Sequence, residues 1–454
     1  MAGKPQVSLA LVGPAGCGKT TALARLCSEL GAFPAEEHKQ CQDLAWELGR
    51  PSHRHGWMLD RLPCEREEGT TVTPTLQTFK SQSCVYSAFD TPGREDFVSN
   101  FLSITSLADA AVLMVSAASG EWEMAVESGR ARELALDCFT MGIKHVLVWV
   151  TKMDDFTVQF DQARFEEIKK AVTAYLKDVG YKQKDPVPVV PIAGLSGENL
   201  ASKSAEMSWY AGHSAIESLD ALGSMNRPAE KPLRLPVLKV HDQPKAGTVV
   251  VGRIETGSIR IGIKVIFSPS GLVSEVRSIY KAGEPVSDAR EGDIVSIGLG
   301  SGDESEQLRP SDIRRGMVIS GSTDPAADAE TFLAQVVVLN HPGVIRAGYC
   351  PAIAVHTAQV PCEFEELLSK VDRKTGKDSE TNPASAKSGD VVTVKMRPRA
   401  LVCVETFSAY PPLGRFAIRD HGRTVGVGVI KEVTKRPVPK PRSHNQYFDP
   451  SDDT

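Results

Sequence analysis

The chain has no apolar run long enough to span a bilayer; its best candidates, Ala110–Ala118 and His145–Val150, have the length of a buried strand. It also lacks a basic N-terminal stretch followed by an apolar core and a cleavage site, so no signal peptide is expected and no membrane contact is implied. None of its nine cysteines forms a CxxC pair, which argues against structural zinc and against a disulfide framework. A reducing, cytoplasmic compartment fits that usage. There is no excess of positive charge either. The net charge is −5, with 22 basic and 29 acidic side chains over residues 1–229, and 13 basic and 11 acidic over residues 330–434. Contact with RNA would therefore rest on a local patch and not on the field of the whole chain. No internal repeat and no long low-complexity segment is visible.

What is present is enough apolar residue for several cores. At 454 residues, two to four domains are expected. Up to about residue 229, short Val-rich runs alternate with helical patterns. The runs are Val7–Val12, Val85–Phe89, Ala111–Val115, Val146–Val150 and Val187–Pro191. The helical stretches are Thr21–Leu30, Ala131–Phe139 and Phe165–Val179. That alternation predicts an α/β domain, a mostly parallel sheet covered by helices, over residues 1–229. Pro228–Pro232 reads as a linker. Short strands punctuated by glycine follow: Gly247–Ile254, Ser258–Ile261 and Lys264–Phe267, with a turn signal at Thr256-Gly257. The same style resumes with Phe332–Leu339, Ala352–Thr357, Val391–Met396, Leu401–Thr406 and Thr424–Val433. Two all-β barrels are predicted, over residues 230–329 and 330–434. The polar, acidic stretch Gly300–Pro310 reads as a loop, and residues 435–454, rich in proline and polar side chains, as a disordered tail.

Chemistry enters with Gly13-Pro14-Ala15-Gly16-Cys17-Gly18-Lys19-Thr20, a GxxxxGK[ST] phosphate loop set between a strand and a helix that includes Thr21. Its glycines let backbone N–H groups converge on phosphates, Lys19 brings a cation to the β- and γ-phosphates, and the Thr20 hydroxyl suits Mg2+. Asp90-Thr91-Pro92-Gly93 follows the run Val85–Phe89; Asp90 can reach the Mg2+ through water and the Gly93 N–H can sense the γ-phosphate. Thr151-Lys152-Met153-Asp154 follows Val146–Val150. There the Asp154 carboxylate can accept both N1–H and the exocyclic amine of guanine, which adenine cannot satisfy. A backbone N–H of Ala193-Gly194-Leu195 is placed to meet the guanine O6. Between the first two motifs, Thr71 in Glu67-Glu68-Gly69-Thr70-Thr71-Val72 can ligate Mg2+ while the γ-phosphate is present and release it afterwards. GTP or GDP with Mg2+ is the expected ligand.

Other features carry plainer readings. His53 and His55 lack companion ligands for a metal site. Trp57, Trp122 and Trp209 read as packing anchors. Cys17 reads as a small residue, although its place in a phosphate loop would allow a lowered thiol pKa.

Beyond these motifs the sequence resembles the elongation factor 1-alpha family of translational GTPases, from about Val7 to Val433. Trp57-Met58-Leu59-Asp60-Arg61-Leu62, Lys231–Pro236, Val251–Gly257, Leu339–Gly343, His356-Thr357-Ala358 and Tyr410–Phe416 carry the resemblance. It implies a GTP-binding domain and two barrels, and an activity of GTP hydrolysis. It implies aminoacyl-tRNA and the ribosome as partners, a separate guanine-nucleotide exchange factor, actin as a further partner, and a monomer. It also places Gly93 and Arg94 with Thr71 at the catalytic position, and Asn100 and Arg315 at positions that hold tRNA. Four departures bear on mechanism. Arg94 stands where the family has a water-positioning histidine, Thr151 where it has Asn, Gly16 where it has Asp and Ala193 where it has Ser. A fifth, Ser99, replaces a lysine that helps hold the tRNA 5′ end. Slow hydrolysis and one missing phosphate contact are the corresponding expectations. The resemblance leaves open two alternatives to delivery: a rescue or termination GTPase, and a hydrolysis-poor scaffold protein.

Overall fold

The computed structural model describes residues 4–94, 101, 104–105, 107–181, 187–223, 231–243, 247–300, 308–339, 341–371, 378–421 and 423–436. They form two compact units, Met1–Met225 and Asn226–Thr454.

The first unit is built on six strands: β1 (Gln6–Val12), β2 (Thr75–Lys80), β3 (Val85–Asp90), β4 (Ala110–Ser116), β5 (His145–Thr151) and β6 (Val189–Pro191). Their order across the sheet is β2-β3-β1-β4-β5-β6. All neighbours run parallel except β2, which is antiparallel to β3. Every residue of β1 and β4 is buried, as expected for strands covered on both faces. The helices among the described residues are α1 (Lys19–Glu29), α2 (Ala35–Glu47), α3 (Pro63–Glu68), α4 (Glu121–Glu127), α5 (Arg130–Thr140), α6 (Gln162–Val179) and α7 (Ala215–Asp220). Leu23 and Leu26 of α1 join Leu9, Leu11, Tyr86, Met114, Leu147 and Trp149 in one apolar cluster. Helix α6 starts at Asp161, whose carboxylate accepts from the N–H groups of Ala163 and Arg164, and stops at Gly180 in the left-handed region. Each predicted strand of this domain is present. The order turns at β1, with β3 on one side and β4 on the other, which puts the loop after β1 at the crevice where ligands of doubly wound sheets sit.

Helix α2 and edge strand β2 go beyond the predicted elements. Only Ala45 of α2 is buried and Trp46 is 63% exposed, so the helix has no apolar stripe for periodicity to detect. No helix among the described residues is long and apolar enough to cross a membrane.

The second unit holds two antiparallel barrels. In the first, the strands run in the order Lys264–Ser268, Val318–Gly321, Arg234–Gln243, Gly247–Arg253, Ile294–Gly300 and Leu272–Lys281. Pairing of Ile266 with Val273 closes the ring. In the second, the order is Ala352–Val355, Arg415–Asp420, Arg423–Lys435, Ala329–Val338, Val391–Pro398 and Ala358–Val371, closed by Ile353 against Val360. Inward residues alternate along each strand, as with Phe332, Ala334, Val336 and Val338 in the second core. Closure removes the free edges that open sheets must otherwise protect. One expectation needs correction. Leu401–Thr406 is not a strand: only Cys403 bridges, to Asp328, whose carboxylate accepts from the Val402 N–H at 2.7 Å. The turn at Thr256-Gly257 leads into Ser258–Arg260, which pairs with Asp288–Arg290. Gly257 is needed there: at φ 78°, a Cβ would lie 2.7 Å from the Leu233 nitrogen. Residues 301–307 of the acidic stretch and residues 437–454 of the tail lie outside the described residues.

The two barrels meet at Arg234, which is almost fully buried. Its guanidinium donates to the carbonyls of Leu233 (3.0 Å) and Asp324 (2.9 Å) and to the Asp324 carboxylate (3.0 Å). From the second barrel, Glu405 lies 3.5 Å away and the Tyr410 ring stacks at 4.9 Å, while Lys435 holds Glu405 from the other side. Removing one member of a buried ion cluster leaves the remaining charges uncompensated, at a cost of about 3 kcal/mol. Arg234→Met is expected to shift the urea transition of the barrels by that amount. A shift below about 0.5 kcal/mol, the scale of a surface pair, would mean that Arg234 does not hold this junction.

Candidate active site

Strand β1 ends at Val12, and residues 13–18 pass directly into α1. Gly16 (φ 78°) and Gly18 (φ 91°) occupy the left-handed region that side chains avoid. Gly13 packs so closely that a Cβ would lie 2.4 Å from the Met114 carbonyl oxygen. The loop Gly13-Pro14-Ala15-Gly16-Cys17-Gly18 thus curls over the end of the sheet and presents the unpaired N–H groups of the first turn of α1, which an anion can accept. Lys19 is buried, and its Nζ donates to the carbonyls of Gly13 (2.7 Å) and Pro14 (2.8 Å). Thr20 and Thr21 follow on α1. Cys17 is buried, and desolvation pushes its thiol up instead of activating it, although Lys19 and Lys152 pull the other way.

At the next strand end, Asp90 closes β3. The Thr20 hydroxyl donates to Asp90 Oδ2 at 2.7 Å and lies 3.0 Å from the Thr71 hydroxyl, which itself donates to Asp60 Oδ1 at 3.0 Å. Asp90 is fully buried and its Oδ1 has no hydrogen-bond partner. Burial pushes the Asp90 carboxyl up to about 6. Burial, and then the charge of Asp90, push Asp60 up to about 7. Two carboxylates and two hydroxyls converging out of water are an oxygen donor set suited to a hard divalent cation such as Mg2+. Glu65 shapes the loop that carries Thr71: one oxygen accepts from the Val72 and Thr73 N–H groups (3.0 and 2.9 Å), the other from Leu62 N–H (3.1 Å).

Gly93 lies against the phosphate loop, where a Cβ would fall 2.5 Å from the Ala15 nitrogen. Only glycine lets the two backbones approach so closely. Arg94 points out from this contact and pairs with Glu68 at 3.3 Å, both side chains about half exposed. Ser99 and Asn100 lie outside the described residues. In the second unit, Arg315 is exposed and its Nε donates to the Thr357 carbonyl at 3.3 Å.

The other end of the loop meets β5. Thr151 is buried, and its hydroxyl donates to the Cys17 carbonyl at 2.6 Å, with the Val115 carbonyl at 3.2 Å. One hydroxyl thereby ties the end of β5 to the phosphate loop. Lys152 (φ 58°) pairs with Glu121 at 2.7 Å, and Met153 is buried beneath. Asp154 reaches the loop after β6, where its Oδ2 accepts from the Ser196 N–H at 3.2 Å. Ala193 bridges to Glu198, Gly194 packs on Ala22 of α1, and the Leu195 carbonyl accepts from Arg54 at 3.1 Å.

The structure thus gathers residues 13–21, Thr71, Asp90, Gly93, Thr151–Asp154 and Ala193–Leu195 around the carboxyl ends of β1, β3, β5 and β6. Sequence reasoning assigned no role to Asp60, Glu65 or Arg54. Each lies in a stretch without a spacing rule, and only the fold brings it to the site. The His55 ring stacks on His38, with the facing nitrogens 3.0 Å apart, and among the described residues no group of three or more His, Cys, Asp or Glu side chains is placed to hold a metal. Trp57 and Trp122 are buried, and Trp209 packs on Phe165 and Tyr210, as packing anchors should.

Known proteins match the chain along most of its length. The family described as elongation factor Tu GTP binding domain matches residues 4–243, elongation factor Tu domain 2 matches 247–320, and the GTP-eEF1A C-terminal domain-like family matches 331–431. Elongation factor 1-alpha of Stylonychia lemnae is 42% identical over 435 residues, covering 95% of this chain and 96% of that protein. Elongation factor 1-alpha of Tetrahymena pyriformis is 41% identical over 435 residues, with 95% and 98% covered. Among solved structures, the S. cerevisiae Ski7 GTPase-like domain bound to GDP and inorganic phosphate shares the fold. Its TM-score is 0.76 at 16% identity, with 94% of this chain and 97% of that one covered. With a phosphate loop, a buried oxygen cluster and a base-side carboxylate on one sheet edge, and with matches along nearly its whole length, the chain belongs to the elongation factor 1-alpha and elongation factor Tu family of translational GTPases.

Proposed function

We propose that the chain carries aminoacyl-tRNA to the ribosome in its GTP form and releases it after hydrolysis, with a separate exchange factor restoring GTP. The observation that carries this reading is the match to proteins named elongation factor 1-alpha over 95% of the chain, both barrels included. In it, Lys19 turns from the Gly13 and Pro14 carbonyls to the β- and γ-phosphates. The Gly93 N–H faces the γ-phosphate, and Asp154 accepts two hydrogen bonds from guanine while a backbone N–H of Ala193–Leu195 meets its O6. Thr20, Thr71 and Asp90 hold Mg2+, whose charge offsets that of the phosphate oxygens. The orphaned, buried Asp90 oxygen supports that assignment. Thr71 stays in place only while the cation and γ-phosphate hold it. That makes the segment around it the element that differs between the two nucleotide states.

Gel-shift titration with aminoacyl-tRNA is expected to give a complex with the GTP-loaded protein and none with the GDP form. With Ser99 in place of a cation, the salt dependence should be shallower by about one unit of slope than in Ser99→Lys. Absence of any complex at low salt would remove the delivery reading.

Arg94 favours a second reading, a slow cycle in which the GTP form persists and binds other partners such as actin. Guanidinium is always protonated and accepts no hydrogen bond, so it cannot orient an attacking water as an acceptor. The Glu68 pair also holds it on the surface. Losing an orienting group costs about 10²-fold or more in rate. Arg94→His is therefore expected to raise ribosome-stimulated single-turnover hydrolysis by about 10²-fold, with nucleotide affinity unchanged. Equal rates in the two proteins would show that another group orients the water.

A further inference from the structure

The loop that faces the guanine is braced from an unexpected direction. Residues 51–58 follow α2 and precede Asp60 and Thr71, on the chain leading to the cation cluster. Yet Arg54 Nη2 donates at 3.1 Å to the Leu195 carbonyl, on the base side. The same peptide group continues the chain of contacts, because its N–H, that of Ser196, donates to Asp154 Oδ2 at 3.2 Å. A guanidinium at the oxygen end and a carboxylate at the nitrogen end polarise one peptide in the same sense. Each bond is charge-assisted and each strengthens the other. Arg54 is itself held: its Nε meets the His55 ring at 3.3 Å, and His55 Nδ1 lies 3.0 Å from His38 Nε2 on α2. From α1, Arg25 reaches the Ser196 carbonyl at 3.4 Å and is anchored on Glu29 at 2.7 Å. The Glu29 and Arg25 side chains lie directly against Gly197, whose φ is 91°.

We infer that Arg54 is a specificity-determining positioning residue, holding Asp154 through the Leu195–Ser196 peptide in the orientation that reads guanine. The inference rests on the proposed role of Asp154 as the guanine acceptor and adds a residue remote from the base motif. It also links the two ends of the nucleotide. The segment that bears Arg54 runs on to Asp60 and Thr71, so its ordering at the cation and its grip on the base loop are properties of one stretch of chain.

The test compares GDP with IDP, which lacks the exocyclic amine that Asp154 is proposed to accept. Affinities are measured by displacement of a fluorescent nucleotide from the full-length protein. Wild type is expected to prefer GDP. In Arg54→Met the GDP:IDP preference should fall by about tenfold, the scale of one hydrogen bond to a charged group. Arg54→Lys, which can still donate to the Leu195 carbonyl, should keep most of the preference. A role in general stability would weaken GDP and IDP equally, so an unchanged ratio in Arg54→Met overturns the inference while Asp154 keeps its role. If wild type itself binds GDP and IDP alike, the reading of Asp154 falls and the inference with it. Should Arg54→Met not yield folded protein, Arg54→Ala, which also removes the donor, makes the same measurement with the same two outcomes.

Discussion

The nucleotide site is organised around one electrostatic constraint. Asp90, at the end of β3, and Asp60 are buried, and the hydroxyls of Thr20 and Thr71 link them. Two carboxylates in so dry a place resist ionisation, which is why both lie above the ordinary range. Their mutual repulsion is relieved when a proton or a divalent cation enters. Much of the surrounding architecture keeps this cluster together. The parallel register of β1 and β3 sets Asp90 beside Leu11, two residues before the phosphate loop begins at Gly13. Glu65 fixes the backbone on either side of Thr71. A cluster whose charge is unsatisfied without its ligand is a natural switch, since the ligand alters the balance of a whole segment and not of one contact.

The base side follows a different logic, that of backbone held by side chains. Thr151 has one hydroxyl and spends it on the Cys17 carbonyl, joining the base strand to the phosphate loop across 134 residues of sequence. The substitution thereby retains a link between the two halves of the site at the cost of the donor–acceptor pair that an amide offers. Asp154 in turn is held by a backbone N–H and not by a side chain. The geometry of that peptide therefore matters more here than it would if a serine hydroxyl stood at Ala193.

The sequence made the five parallel strands of the sheet legible because they are short apolar runs bounded by turn residues and mostly buried. The phosphate loop, Asp90 and Asp154 were legible for a related reason: their motifs are local, and each follows a strand that fixes where the motif must lie. Helix α2 was not legible, since Ala45 is its only buried residue and its outer face includes an exposed tryptophan. Strand β2 is a half-exposed edge, held by pairing with β3 more than by its own apolar pattern. Leu401–Thr406 misled for the opposite reason. Val402, Cys403 and Val404 are buried as strand residues are, but Asp328 takes up the Val402 N–H, so burial and ladder pairing part company. Asp60, Glu65 and Arg54 escaped because their partners lie on other elements, which tertiary contact supplies and spacing does not.

The barrels show how little pairing alone decides. Both close as rings, and both fill their interiors by alternation, yet the cluster at their meeting point is polar: Arg234 with Asp324, Glu405, Tyr410 and Lys435. An apolar junction of the same area would hold equally well, because desolvating these charges offsets much of what their attraction returns. What a polar junction adds is direction. The guanidinium donates to the Leu233 carbonyl just before its strand and to the Asp324 carbonyl and carboxylate beyond the Val318–Gly321 strand, and pairs with Glu405 of the other barrel at 3.5 Å; these directions cannot be met together after a rotation of one barrel on the other. Fixed directions of that kind hold the two barrels in one arrangement.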